Sequence, residues 1–179
     1  MNISDAVCES IFSKTELFDN ESIINFITDL CKISKQELNA YFIPRLFSLF
    51  KLIEVTHFNI FRIQFIWSKI WKIISEYLIE IITTYPQENI WKQALDSLKI
   101  TIGKFLEKED NKVFNFQMEI FKPFEIIFYK TNKIPERGEM VINYIHYLVF
   151  QYWKNIHSGW IIIFRLIKNV YQKKNLNNT

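Results

Sequence analysis

The residue types able to do acid–base, nucleophilic or metal chemistry are sparse in this chain, and their spacing assembles no working set. The histidines are His57, His146 and His157. A zinc site needs three or four ligands, commonly paired at i, i+3 or i+4 on a helix. None of the three histidines has a His, Cys or acid at that spacing that completes a recognisable set. His146 lies in a Tyr-rich stretch and reads as an imidazole packed between helices. His157 is followed directly by Ser158, which suits a helix entry (Ser158 as N-cap) better than a base beside its nucleophile. Glu107, Glu109 and Asp110 cluster at the end of a predicted helix and read as a solvated face. Cys8 and Cys31 make no CxxC or metal-like spacing. Gly103, Gly138 and Gly159 lie too far apart to build a P-loop, a dinucleotide turn or a nucleophile elbow. The expectation is no catalytic residue, no metal ligand and no cofactor.

The elements that would carry these residues read as helices throughout. Over 179 residues the hydrophobic fraction is 49% and the aromatic fraction 17%, enough apolar volume for a real core. Apolar residues recur at three-to-four spacing and strand alternation is absent. Asn20 is placed to cap a helix through Ile23, Ile24, Ile27 and Leu30. Pro44 suits a first helical position ahead of Leu46, Leu49, Phe50 and Ile53. A long helix is predicted from Ile60 to about Tyr85, ended by Pro86, with an apolar stripe of Ile63, Trp67, Ile70, Trp71, Ile74, Leu78 and Ile81 and a narrow polar stripe of Lys69, Lys72, Glu76 and Glu80. The next opens near Asn89 and carries Trp91, Leu95, Leu98, Ile102 and Phe105. Pro123 should bend or split the helix that follows from about Phe114. Beyond the breaker run 131–135 come a helix through Val141, Tyr144, Ile145, Leu148 and Tyr152 and a last one. That last helix is expected to bury Trp160, Phe164, Ile167 and Tyr171 and to expose Arg165, Lys168 and Gln172. The sum is an all-α chain of about seven to nine helices, in pairs at roughly the 40-residue spacing of an armadillo/HEAT-like solenoid. Its ends look like cuts through a longer stack.

Charge narrows the partners. A net charge of +3, with aromatics at core spacing, argues against nucleic acid. Residues 1–31 hold six acids against Lys14 alone, whereas residues 150–179 hold Lys154, Arg165, Lys168, Lys173 and Lys174 and no acid. That basic end could lie on an anionic membrane surface, but core burial of the apolar face of the 158–174 helix is the expected use. No signal peptide opens the sequence and no window of about 18 apolar residues is free of charge, so a cytoplasmic setting is expected.

The run PRLFSLFKLIEV, Pro44 to Val55, resembles the most characteristic stretch of the first HDS (homology downstream of Sec7) domain of the BIG and Sec7-type large Arf guanine-nucleotide exchange factors. Asn59, Arg62, Ile63, Trp67 and Ile70-Trp71 follow at the spacing of that family. So do Ala94-Leu95-Asp96-Ser97-Leu98, Lys104 to Glu109, Phe116-Gln117, Phe121-Lys122-Pro123-Phe124, and Ser158-Gly159-Trp160 with Phe164. Upstream, Ile11-Phe12, Leu17, Ile23-Ile24, Phe26 and Leu30-Cys31 fit the lead-in, followed by Ser34 and Glu37-Leu38. The resemblance covers roughly 4–170, the expected scaffold domain, with 1–3 as an N-terminal end and 171–179 as a basic, Asn-rich tail. Gly138, Asn143 and His157 depart from it, standing where the family carries basic residues.

The resemblance implies a non-catalytic scaffold or regulatory segment acting in Golgi vesicle traffic, cytoplasmic and peripheral to the membrane. The exchange domain itself is absent from these residues. Implied partners are an Arf-family small GTPase, neighbouring domains of a larger exchange factor, and an anionic membrane surface. A free-standing helical adaptor, related to Golgi scaffolds that lack the exchange domain, is the alternative. Which residues bind a partner is not legible. One internal contact is expected on physical grounds: the Arg62 guanidinium, opening the longest helix, pairing with Asp96.

Overall fold

The structure, a computed structural model, describes residues 5–40, 43–108 and 116–176, with side chains over 9–40, 43–108 and 116–172. Among the described residues the secondary structure is helical and no strand occurs. The α-helices are α1 (Asp5–Ser13), α2 (Asn20–Leu38), α3 (Phe47–Phe58), α4 (Gln64–Thr84), α5 (Glu88–Leu106), α6 (Phe116–Lys130), α7 (Pro135–Tyr152) and α8 (Trp160–Leu176). Two 3-10 turns, Lys14–Leu17 and Trp153–Asn155, precede α2 and α8. The all-α class and the helical-solenoid expectation hold. The chain divides into two compact units, Met1–Thr101 and Ile102–Thr179.

In the first unit α3 packs on α1 and α2, and α4 packs on α2. Stripe residues foreseen on α2 and α4 form much of its centre, joined by Leu49 and Leu52 of α3: Ile23, Ile27, Ile70, Ile74, Leu78, Leu49 and Leu52 are all fully buried. Phe50 and Ile63, expected in the apolar stripes, are instead 43% and 68% exposed, because Phe50 lies on the outer side of α3 and Ile63 in the turn before α4. The narrow polar stripe of α4 faces solvent, with Glu80 bridged to Lys35 of α2 at 2.6 Å. Such a helix is wet along one edge only because neighbours cover it on the others.

Several helix boundaries differ from expectation, each because a side chain or turn does a job that local pattern cannot show. Asp19, not Asn20, caps α2: its carboxylate accepts from the backbone N–H of Glu21 and Ser22, both at 2.9 Å. The Ser22 hydroxyl, donating to the second carboxylate oxygen at 2.6 Å, and these backbone bonds favour the charged form and hold the Asp19 carboxyl below its usual range. Pro44 stays outside α3. The α3 N-terminus is instead satisfied from another helix, with the Glu37 carboxylate accepting from Ser48 N–H at 2.9 Å. The predicted helix start at Ile60 is a turn, and α4 begins at Gln64.

In the second unit α6 packs against both α7 and α8. Pro123 neither splits nor ends α6, which runs unbroken from Phe116 to Lys130 with Pro123 buried inside it. Pairings increase together along α6 and α8: Phe121 lies against Gly159, Glu125 against Arg165, and Tyr129 against Asn169. The two helices are therefore parallel neighbours in one layer, and the intervening α7 returns the chain.

Candidate functional site

No group of three His, Cys, Asp or Glu among the described residues is placed to hold a metal ion. The residues that could have done chemistry are scattered. His57 sits 3.4 Å from Thr101 Oγ1. His146, expected between helices, is exposed, as is His157. Glu107 takes an ion pair from Lys104 at 3.2 Å and a hydrogen bond from Tyr152 Oη at 3.1 Å, while Glu109 and Asp110 lie outside the described residues. Ser158 does not cap α8, and its hydroxyl has no hydrogen-bond partner.

The α8 entry is fastened by a residue from another helix. Gln117 of α6, 1% exposed, accepts from His157 N–H at 2.7 Å and from Gly159 N–H at 3.4 Å. Its amide donates to the Asn155 carbonyl at 2.7 Å, and the Asn155 side chain donates to the Leu106 carbonyl at 2.8 Å. One buried amide thus satisfies three backbone groups of the turn leading into α8.

A second polar hub joins the first unit. Arg62 does not meet Asp96, whose carboxylate pairs with Lys99 at 3.2 Å. Its guanidinium donates instead to the carbonyls of Thr15, Glu16 and Phe18, at 3.2, 3.2 and 2.6 Å. It also donates to Asn59 Oδ1 at 2.6 Å and Asn20 Oδ1 at 3.2 Å. Buried Asn59 closes the hub through Thr15 Oγ1 and the Val55 carbonyl. The planar fork serves carbonyls exposed where the 3-10 turn ends, a task suited to guanidinium geometry. A third polar feature is Lys51, 7% exposed, which bonds both oxygens of Glu9 at 2.7 Å and Glu54 at 2.9 Å. Burial draws the ammonium down, but the bonds to the two carboxylates outweigh it and the net shift is upward.

Cys31 is a free, buried thiol, and burial pushes it from 9.0 to about 12, against a smaller opposing pull from Lys35. Because the folded value lies above the unfolded one, the neutral thiol's contribution is intact below about pH 9 and is lost as pH rises towards about 12. Tyr77, whose hydroxyl donates to Ser34, is raised in the same direction by burial. The expected result is stability that falls through this window by up to about 1.4 kcal/mol per pH unit from the thiol alone. Equilibrium denaturation across that range should show a shallower fall for Cys31→Ala; an identical slope would count against the thiol.

The apolar faces left open are the remaining candidate surfaces. Around the α3–α4 turn Phe58, Phe61, Ile63 and Phe65 are exposed, with Lys69 Nζ 4.3 Å from the centre of the Phe65 ring. On α8 the face expected in the core is turned outward. Phe164, Ile167 and Tyr171 are 62%, 53% and 68% exposed, and half-buried Trp160 stacks on Phe164 with centroids 5.5 Å apart. The buried side is Ile162, Ile163 and Leu166. Arg165, Lys168 and Gln172 are exposed as expected. No described helix is long and apolar enough to cross a membrane.

Residues 104–178, which include the Gln117 clamp and all of α8, match the family described as Mon2/Sec7/BIG1-like, HDS. Over those residues the chain is similar to a Sec7-like HDS segment. Curated relatives extend the likeness over most of the chain. Brefeldin A-inhibited guanine nucleotide-exchange protein 2 of Arabidopsis thaliana is 36% identical over 166 residues, 92% of this chain and 9% of the relative. Brefeldin A-inhibited guanine nucleotide-exchange protein 1 of Homo sapiens is 36% identical over 156 residues, 87% of this chain and 8% of the relative. The chain therefore spans about a tenth of the length of the curated relatives it matches. No sequence signal singled out Gln117 as a clamp, although the pair Phe116-Gln117 belongs to the motif set that carried the resemblance.

Proposed function

We propose that this chain serves as a non-catalytic scaffold and regulatory segment of a large Arf guanine-nucleotide exchange factor, corresponding to its first HDS domain and acting in Golgi vesicle traffic. In this reading the scaffold domain of 4–170 comprises both compact units and works on the cytoplasmic side of the membrane, peripheral to it. Its partners are an Arf-family GTPase and neighbouring domains of the exchange factor. The observation that carries the proposal is 32–36% identity to guanine nucleotide-exchange proteins over nearly the whole chain. The side chains support a packing role, since the buried polar groups Gln117, Asn59 and Ser34 are spent on hydrogen bonds that join helices.

Two solution measurements with the purified chain test this. Release of a fluorescent GDP analogue from an Arf GTPase should be no faster with the chain than without it; acceleration by the chain alone would sink the non-catalytic reading. Calorimetric titration against the soluble GTPase should give binding to the GTP-loaded form and not to the GDP-loaded form. Binding indifferent to the nucleotide, or none, would remove the GTPase from its partners.

A further inference from the structure

The exposed stripe of α8 is a continuation of a layer, and its position relative to α6 indicates what covers it. Residues 160, 164, 167 and 171 recur at the spacing that keeps one helical face. Arg165 and Asn169, which meet α6, stand roughly half a turn round the helix from that stripe. The stripe thus faces directly away from α6, along the line on which α6 and α8 already lie side by side in parallel. A helix that is apolar on two flanks and polar along a narrow edge is one with neighbours on both flanks.

The α6–α8 contact also shows the chemistry such an interface uses in this chain. The α6 row is Gln117, Phe121, Glu125 and Tyr129: aromatic rings alternating with polar groups at four-residue intervals. Phe121 receives Gly159, where an added Cβ would stand 2.7 Å from the ring; Glu125 receives Arg165 at 3.2 Å; Tyr129 receives Asn169. The outward row of α8 repeats this texture with the charge reversed. Trp160, Phe164 and Tyr171 supply the rings, and exposed Lys168 stands at the edge of the stripe. No acidic residue occurs in α8, or anywhere after Glu139, so this edge is uniformly cationic.

We propose that the outward stripe of α8 is the docking surface for a further amphipathic helix running parallel to α8, with an Asp or Glu placed to meet Lys168. The occupant lies outside this chain and is a helical segment of scaffold type. This rests on the reading of the chain as one segment of a larger helical scaffold and names the surface by which it joins the next. The partner helix stands to α8 as α8 stands to α6, with its apolar stripe on the Phe164 ring and its carboxylate on the side of Lys168.

The test uses the full chain and, as probe, a peptide of about 45 residues, one helix pair, taken from immediately after the matched stretch in the human relative. Binding is read by calorimetry, and helix direction by energy transfer from a donor placed on Gln172 to acceptors at either end of the peptide. Saturable binding that weakens at least tenfold with Phe164→Glu and several-fold with Lys168→Glu, with parallel orientation, is the expected result. Both positions are exposed, and far-ultraviolet circular dichroism confirms that the variants fold. No binding, binding unchanged by either variant, or an antiparallel arrangement overturns the proposal. So does sedimentation showing self-association that Phe164→Glu abolishes, or flotation on phosphatidylserine vesicles that both variants abolish, since a second copy or a lipid surface then occupies the stripe. None of these readouts involves the GTPase or its nucleotide, so they stand or fall separately from the exchange and GTPase-binding measurements.

Discussion

Replacing Gly159 by alanine is expected to destabilise the second unit by about 1–3 kcal/mol, the usual cost of forcing a methyl group into a packed site. The added Cβ would stand 2.7 and 2.8 Å from Cδ2 and Cε2 of Phe121 and 3.3 Å from Ile156 Cγ2. Phe121 is fully buried, so its ring cannot swing aside, and α8 must move instead. That movement strains the Gln117 bonds to His157 and Gly159 as well. Gly138→Ala supplies the contrast. There the nearest atoms, on the Phe128 ring, are 3.6 and 3.7 Å away, an ordinary contact, and the position lies within α7. Alanine there should stabilise the helix by about 0.5–1 kcal/mol. Denaturant unfolding followed through Trp153 and Trp160 reports on this unit. Opposite signs for the two substitutions would confirm that Gly159 is kept small by Phe121, and equal signs would refute it.

Arg62→Met should cost about 2–3 kcal/mol, since it removes five charge-assisted bonds and takes a donor from three carbonyls at the end of the first 3-10 turn, of which Thr15 keeps the Phe18 N–H. The figure sits well below five full bonds because the side chain is only half-buried and water can replace part of what is lost. Arg62→Lys should recover little, as one ammonium cannot span carbonyls and amide oxygens that the planar fork reaches together. Asp96→Asn should leave the Arg62 hub untouched, because Asp96 faces Lys99. Chemical denaturation followed through Trp67, Trp71 and Trp91 of the first unit gives the comparison. A loss of the same size in Asp96→Asn and Arg62→Met would restore the pairing expected from sequence.

Those two positions mark where the sequence was legible and where it was not. Helix existence and burial followed from periodicity: Ile23, Ile27, Trp67, Ile74, Leu95 and Leu148 all sit in the core as their spacing requires. Helix ends were harder, because three of the groups that satisfy them come from elsewhere in the chain. Glu37 serves α3, Gln117 serves the entry to α8, and Arg62 serves the turn before α2. A local reading finds Asn20 and Ser158, which have the right chemistry, but Asp19 and Gln117 have the right reach. The α8 face was misjudged for a different reason. Its aromatics and Ile167 form the stronger stripe by size, yet Gly159 seats the helix start against Phe121 and turns Ile162, Ile163 and Leu166 inward instead. Which of two apolar flanks faces the unit's own core is decided by packing partners, and the pattern of one helix does not contain them.

The Arg62 hub also sets an order of events. Its bonds tie residues 15–20 to a side chain 42 to 47 positions further on, and closing so long a loop costs entropy before any contact compensates. The helical turns on either side can form within their own stretches, but the corner that joins them cannot close until α3 has been laid down and Asn59 is in place. The turn between α1 and α2 is therefore expected to close late in folding and to open early in unfolding. In a scaffold built by adding helices one after another, its opening strand of chain is fastened last, by a residue that a growing polypeptide has yet to make when α1 emerges.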